Sequence, residues 1–457
     1  MSTTRRQVLA GSGALGVGIA FSGAIPELFS GTAAAQGTGG ASGYGPLVPD
    51  PKGVLDLPKG FRYRILSREG EQLRSGEGKV PSHHDGMAAF RGTREGRTWL
   101  VRNHENRMDA KVPVPTVKGL TYDPEAKGGC TALEVDGRGE LLRERVAIAG
   151  TSTNCAGGPS PWGTWLTCEE TEFRAGEEGY TKDHGFIFEV GYSRRRPTSV
   201  EPLTAMGRFQ HEAVAFDPRT GVVYETEDAF DKPFGLFYRF LPEKPNGGHG
   251  SLHAGGELQA MRVPGVPDLS VVQETGKSFT GIEWVKVPDP LAKETPVRFQ
   301  DFGKGGITHA QKLEGCYWGG SCVYFVSSYA KTKEGSKADH FGQIWRYEPR
   351  SRRLTLVIVF GPDTDVQLPG DEPDNITLAP SGGLMVCEDG EGAQHVFGVT
   401  RRGTVYPMAR GRQNIGTPEK PEWGEFAGVT FSPDQRTMFV NCYTPGTTFA
   451  VTGPWRH

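Results

Sequence analysis

Helical periodicity is scarce after residue 50. Short runs of apolar or alternating residues recur instead, punctuated by Gly, Pro, Asn and Asp. Three stretches share one order of strand, turn, strand, short loop and strand. Glu212–Asp228 turns at Asp217-Pro218 and is followed by Gly235–Phe240. Asp374–Asp389 turns at Pro380-Ser381-Gly382-Gly383 and is followed by His395–Val399. Glu425–Cys442 turns at Ser432-Pro433-Asp434 and is followed by Thr448–Val451. Weaker copies are Glu314–Ser327 before Gly342–Tyr347, Pro161–Glu170 before Gly185–Val190, and Thr98–Asn103 before Thr131–Val135. These make about six units. A lone sheet of this kind cannot bury both faces, whereas units stacked radially can. A β-sandwich or a solenoid would require the hairpins to resemble one another by chance. The pattern therefore predicts an all-β, six-bladed β-propeller with long inter-strand insertions, two of them at Leu241–Ala260 and Lys331–His340. The propeller is expected to be a single domain over 51–457, behind a flexible linker over 36–50.

Composition agrees with this reading. Hydrophobic residues are 36% and charged residues 23% of the 457, enough apolar material for a core. With 51 Lys+Arg against 54 Asp+Glu the net charge is −3, so no basic surplus argues for a nucleic-acid partner. Sixty-five Gly and 33 Pro without a collagen period imply many tight turns. Seven dispersed Cys with no CxxC pair do not indicate a zinc ribbon.

The N-terminus reads as an address. Thr4-Arg5-Arg6-Gln7-Val8-Leu9 precedes a mildly apolar, Gly/Ala-rich run to about Ala24, and Ala33-Ala34-Ala35 offers a cleavage site. This resembles a twin-arginine export signal over 1–35, although Val8 replaces the commoner Phe and Ala10 the common Lys. The expected partner is the twin-arginine export machinery, and the expected location is periplasmic or extracellular. No other stretch approaches the ~20 apolar residues of a transmembrane helix. The mature chain is expected to be a monomer.

The candidate chemistry sits where inner strands would begin, because residues at a propeller's entry edge converge from distant sequence positions. His84-Asp85-Gly86, His211-Glu212, Lys312-Leu313-Glu314, Glu372-Pro373-Asp374-Asn375 and Gly424-Glu425 all precede apolar runs. A second set closes the following strands: Glu169-Glu170, Glu227-Asp228 and Glu388-Asp389. Two carboxylates 4 Å apart at an effective dielectric of ~20 repel by about 4 kcal/mol, so such a cluster must protonate or bind cations. Hard oxygen donors in number favour Ca²⁺. Cys155, between Asn154 and Ala156-Gly157-Gly158, is either a metal-binding or nucleophilic thiolate, or a buried inert thiol. Cys168, Cys387 and Cys442 lie in strand patterns and read as core. His83-His84-Asp85 and Asn103-His104-Glu105 read as ligand pairs or as hydrogen-bonded closure of the ring. No P-loop, G-x-S-x-G elbow or H-E-x-x-H motif occurs.

Together these residues resemble a known family. The leader, His84-Asp85-Gly86-Met87, Arg102-Asn103-His104-Glu105, Asn154-Cys155-Ala156-Gly157-Gly158 with Thr164-Trp165-Leu166-Thr167-Cys168-Glu169-Glu170, His211-Glu212, Leu313-Glu314-Gly315 and Pro373-Asp374-Asn375 look like the PhoX-type alkaline phosphatases. The resemblance runs from about residue 45 to the C-terminus. It implies a six-bladed propeller carrying an oxo-bridged Fe³⁺ pair together with Ca²⁺. It implies that Cys155 binds iron and that Glu212, Glu314 and Asp374 are metal ligands. The strand-closing acids Glu169, Glu388 and Asp389 complete the expected set. Lys312 stands where the family presents a phosphate-facing Arg; it keeps the charge and loses the bidentate fork. The implied reaction is metal-assisted hydrolysis of a small phosphomonoester, with Lys312 and Arg102 steadying phosphoryl oxygens. Two other readings remain open at this stage: a calcium-dependent lactonase-like propeller hydrolase, which would need no thiolate, and a non-catalytic exported propeller that binds a partner.

Overall fold

The computed structural model describes residues 43–193, 196–331, 340–360, 372–390 and 392–457. The export leader expected over 1–35 and nearly all of the insertion expected at Lys331–His340 lie outside the described residues. Among the described residues there is no α-helix, only strands and three short 3₁₀ turns. No helix among them is long and apolar enough to cross a membrane.

Six antiparallel sheets form the blades. Their inner strands are, in chain order, His84–Arg91, Asn154–Pro159, His211–Phe216, Leu313–Trp318, Pro373–Leu378 and Phe426–Phe431. Each packs against the next, and the last packs against the first, so the ring is closed. The fold is thus the predicted six-bladed propeller. Among the described residues blade 2 keeps only three strands, while blade 3 has six: five in a row out to Glu283–Lys286, and His309–Ala310 pairing with the start of Gly235–Pro242. The connection between the blade 3 strands Gly256–Arg262 and Glu283–Lys286 lends Ser278–Thr280 to the outer edge of blade 4.

Closure is made by the N-terminal part of the domain. Arg62–Arg68 pairs with Thr447–Thr452 as the outermost strand of blade 6, and Leu55–Pro58 with Leu47–Val48 extends blade 5. Residues 43–50 therefore belong to the fold rather than to a linker: Leu47 is buried, and the Asp50 carboxylate accepts hydrogen bonds from Tyr63 Oη (2.7 Å) and Val54 N (2.9 Å). Apolar residues alternate along the strands and fill the space between neighbouring blades. Leu166, Val214, Phe216 and Tyr238 share one such layer, and Val323, Phe325, Trp345 and Leu356 share another. All seven cysteines are buried free thiols. Cys168, Cys387 and Cys442 sit among these apolar layers.

One buried ion pair supports the closing seam. Arg102, on the second strand of blade 1, is fully enclosed, and its Nη2 lies 3.0 Å from Glu144 Oε1. Arg102 also donates to Thr448 Oγ1 (2.7 Å) and Thr131 Oγ1 (3.0 Å), while Ser67 of the closing strand donates to Glu144 (2.6 Å). His84 joins through Thr448 Oγ1 at 3.0 Å. Burial pulls the Arg102 guanidinium down to about 10, and Glu144 opposes that shift. Arg102, expected to face phosphate, is instead a strut between blades 1 and 6. Its charge is taken up by Glu144 on the outer strand of its own blade.

Replacing Arg102 with Ala would leave Glu144 buried without its counter-charge. The expected loss is about 3–5 kcal/mol in urea denaturation. Arg64→Ala, which breaks only the exposed Arg64–Glu140 pair, should cost under about 1 kcal/mol.

Candidate metal centre

Every inner strand carries the same irregularity. The pairing with the second strand slips between His84 and Met87, Asn154 and Gly157, His211 and Val214, Leu313 and Cys316, Pro373 and Ile376, and Ala427 and Thr430. A bulge re-aims the residues it contains. The residue just after the last pair before the slip is, in blade order, Asp85, Cys155, Glu212, Glu314, Asp374 and Gly428. Five blades therefore offer an acid or a thiol at one equivalent position, all of them buried. The sixth offers none, because register places Glu425 three residues ahead of that position.

Two donor groups converge there. Cys155, Glu170 and Glu212 bring ligand atoms within 4.8 Å of one another, and so do Glu212, Glu314 and Asp374. Glu212 belongs to both. Of the expected metal residues, the structure thus brings together Cys155, Glu212, Glu314 and Asp374.

It places Glu169 and Glu388 elsewhere. Glu169 Oε1 accepts from Ser152 N (2.8 Å) and faces His184 Nδ1 (2.7 Å); its Oε2 accepts from Gly185 N (2.9 Å) and Phe186 N (3.1 Å). Glu388 Oε2 accepts from His395 N (2.9 Å) and faces His395 Nδ1 (2.9 Å). Glu227 plays the same part in blade 3, where it accepts from Leu236 N (3.2 Å) and Tyr238 Oη. These three carboxylates tie the second strand of a blade to the start of its third. In blades 2 and 5 the following residue faces the mouth instead, which is how Glu170 enters the donor group that Glu169 was expected to fill. Asp389 lies 3.8 Å from Lys312 Nζ.

Electrostatics follow from this crowding. Burial pushes the Cys155 thiol well above its ordinary pKa, and Glu212, Glu170 and Asp85 push it further. Without a cation the sulfur keeps its proton and donates to His211 O at 3.2 Å. A bound cation would reverse that balance, because coordination favours the thiolate. Burial opposes a charged His184, yet Glu169 and Asp123 together hold its pKa above the ordinary value. Lys312 brings an ammonium into the mouth, paired with Glu314 and near Asp389. Lys312 itself has φ 47°, and Thr153 and His83, which also directly precede inner strands, have φ 50°. Side chains tolerate this region at a cost on the order of 1 kcal/mol, and such residues gather at functional sites.

Asn103 braces the thiol's strand. Its Nδ2 donates to Cys155 O (3.1 Å) and Ala156 O (2.7 Å), and its Oδ1 accepts from Trp165 Nε1 (2.8 Å) and Thr167 Oγ1 (2.9 Å). Of the two roles open to the Asn103-His104-Glu105 cluster, Asn103 takes the bracing one. Arg298 carried no signal in the sequence. It comes from the segment between blades 3 and 4 and pairs with Glu172 (3.0 Å) and Glu227 (3.2 Å).

A closed ring of six blades that delivers one thiol and several carboxylates to one mouth defines a propeller with a candidate metal site. The family model "Alkaline phosphatase PhoX" matches residues 42–446, and the chain belongs to that family. Among solved structures, PhoX of Pseudomonas fluorescens in complex with vanadate, described as a transition state analogue, superposes with a TM-score of 0.65. The two are 18% identical over 89% of this chain and 97% of that one. XC5397 of Xanthomonas campestris, a gluconolactonase, aligns at a TM-score of 0.45 and 13% identity over 90% of this chain and 99% of that one. That likeness is too loose to bear on activity. A search of curated proteins found no match.

Swapping the two neighbouring acids separates their roles. Glu169→Gln should destabilise the fold by about 1–3 kcal/mol through the disturbed His184 contacts and leave binding of a transition metal by the Cys155 group nearly intact. Glu170→Gln should leave thermal stability of the metal-free protein unchanged and weaken iron uptake by that group at least roughly tenfold, read by elemental analysis.

Proposed function

We propose that this chain is an exported phosphatase that hydrolyses small phosphomonoesters at a calcium- and iron-binding centre in the propeller mouth. The observation that carries this reading is the pair of donor groups sharing Glu212, with the Lys312 ammonium beside them. The donor set fits cations: buried carboxylates this close cannot all stay ionised on their own. Cys155 with Glu170 and Glu212 suits iron, and the all-oxygen set of Glu212, Glu314 and Asp374 suits calcium. Bound cations would neutralise charge at the phosphoryl oxygens and acidify an attacking water.

The chain's own side chains then have limited tasks. Lys312 holds one phosphoryl oxygen with a single-point contact, while Glu314 and Asp389 hold the ammonium in place. Asn103 fixes the backbone on which Cys155 rides. Arg102 takes no part, because its guanidinium is spent on the blade 1–6 seam. The vanadate in the Pseudomonas fluorescens protein supports the choice of phosphoryl chemistry, since vanadate mimics a five-coordinate phosphorus. The leader at Thr4–Leu9 supports export through the twin-arginine route, which accepts chains already folded around a metal.

The deciding assay is phosphate release from an aryl phosphate by protein supplied with iron and calcium. Activity should disappear under a calcium chelator, and Cys155→Ser should lose bound iron and activity while keeping its circular dichroism. Lys312→Ala should lower kcat/KM by about 10²-fold or more. Absence of turnover with both metals present would sink the phosphatase reading.

A further inference from the structure

We infer that Gly86, Gly315 and Gly428 are positioning residues that set the radius of the donor ring, by letting each inner strand rest on the backbone of the next blade's donor residue. The inference rests on the reading of that ring as a cation site. Gly86 directly follows Asp85, Gly315 directly follows Glu314, and Gly428 occupies the donor position of blade 6. A Cβ on Gly86 would lie 2.7 Å from Cys155 O and 2.6 Å from Ala156 Cα. On Gly315 it would lie 2.6 Å from Asp374 O and 2.9 Å from Asn375 Cα. On Gly428, whose φ of 62° already disfavours a side chain, it would lie 2.5 Å from Asp85 O and 2.9 Å from Met87 N.

In each case the obstructing atoms include the main-chain carbonyl of a residue offering a donor on the neighbouring blade. Backbone cannot swing aside as the end of a long side chain can. Restoring an ordinary 3.4 Å contact from 2.6 Å would push the neighbouring strand outward by roughly 0.8 Å. Coordinating groups tolerate about 0.5 Å of displacement before binding suffers. A methyl group on these glycines therefore acts on the ligand position before it acts on the fold.

A second set of contacts points the same way. The carbonyls of the donor residues are themselves held by hydrogen bonds from side chains of other strands. Asn103 donates to Cys155 O (3.1 Å), Thr226 Oγ1 donates to Glu314 O (2.7 Å), and Asn441 Nδ2 donates to Asp85 O. Blade 6, which has no donor, is tied in through Gly428 N, which donates to Asn375 Oδ1 at 2.6 Å. The ring is thus dimensioned through its main chain, and the donor side chains hang from a frame already fixed.

The test compares calcium affinity with stability on metal-stripped full-length protein. Gly315→Ala should weaken calcium binding at least tenfold in calorimetric titration, and Gly86→Ala should lower iron uptake to the same degree, read by elemental analysis. Gly383→Ala is the control: its Cβ would meet Val399 O at 2.3 Å, on the hairpin at the far end of blade 5. It should lower the Tm of the metal-free protein as much as the ring variants do and leave the calcium Kd within twofold. Thr226→Val removes the hold on Glu314 O without adding volume and should weaken binding severalfold. Ring variants that fold and bind their cation (iron for Gly86→Ala, calcium for Gly315→Ala) like the wild type overturn the inference, as does an equal loss in Gly383→Ala. If the ring variants do not fold, an unchanged Kd in Thr226→Val overturns it. A wild-type protein that takes up no calcium overturns this inference and the cation-site reading together.

Discussion

The structure is organised around a repulsion. Its inner strands bring buried acids from three blades to within 4.8 Å of one another, an arrangement that opposes folding whenever the acids are ionised and no cation is bound. The blades must therefore be held together by forces acting away from the mouth. The apolar layers between blades supply most of this, as they do in any propeller. The seam between blades 6 and 1 is reinforced by Arg102, Glu144, Thr448 and the closing strand. One buried cation is used to secure the ring, so that the cations the mouth attracts do not have to.

The same repeated geometry explains a division of labour between neighbouring carboxylates. At the end of the second strand of blades 2, 3 and 5, the acid opposite the first inner-strand residue turns outward and fastens its own blade: Glu169, Glu227 and Glu388. In blades 2 and 5 the next residue, Glu170 or Asp389, follows the pleat to the other side. Two acids side by side in the chain thus do unlike work, one structural and one facing the mouth.

Much of this was legible in the sequence. Six strand–turn–strand units with Asp-Pro, Pro-Ser-Gly-Gly and Ser-Pro-Asp turns were enough for the fold. The acids that open inner strands stood out because an apolar run follows each of them. What stayed hidden depended on register. Glu169 and Glu170 cannot be told apart until the bulge fixes parity. Glu425 looked like a fifth opening acid, yet pairing of Ala427 with Asn441 puts Gly428 at that position. Arg102 looked like a site residue because it opens the Arg102-Asn103-His104-Glu105 run that carries the family resemblance. Only the partner strand Arg62–Arg68, distant in the chain, shows that its surroundings are closed.

That distant partner also sets an order of events during synthesis. Arg62–Arg68 is made early and must wait for Thr447–Thr452, which is made after the other five blades. The wall between the first and last blades is therefore sealed only after Thr447–Thr452 has been made, however early the middle blades pack. A translocon that threads unfolded polypeptide would have to leave that seal to the far side of the membrane, whereas a route for finished proteins lets it set in the compartment where the chain was born.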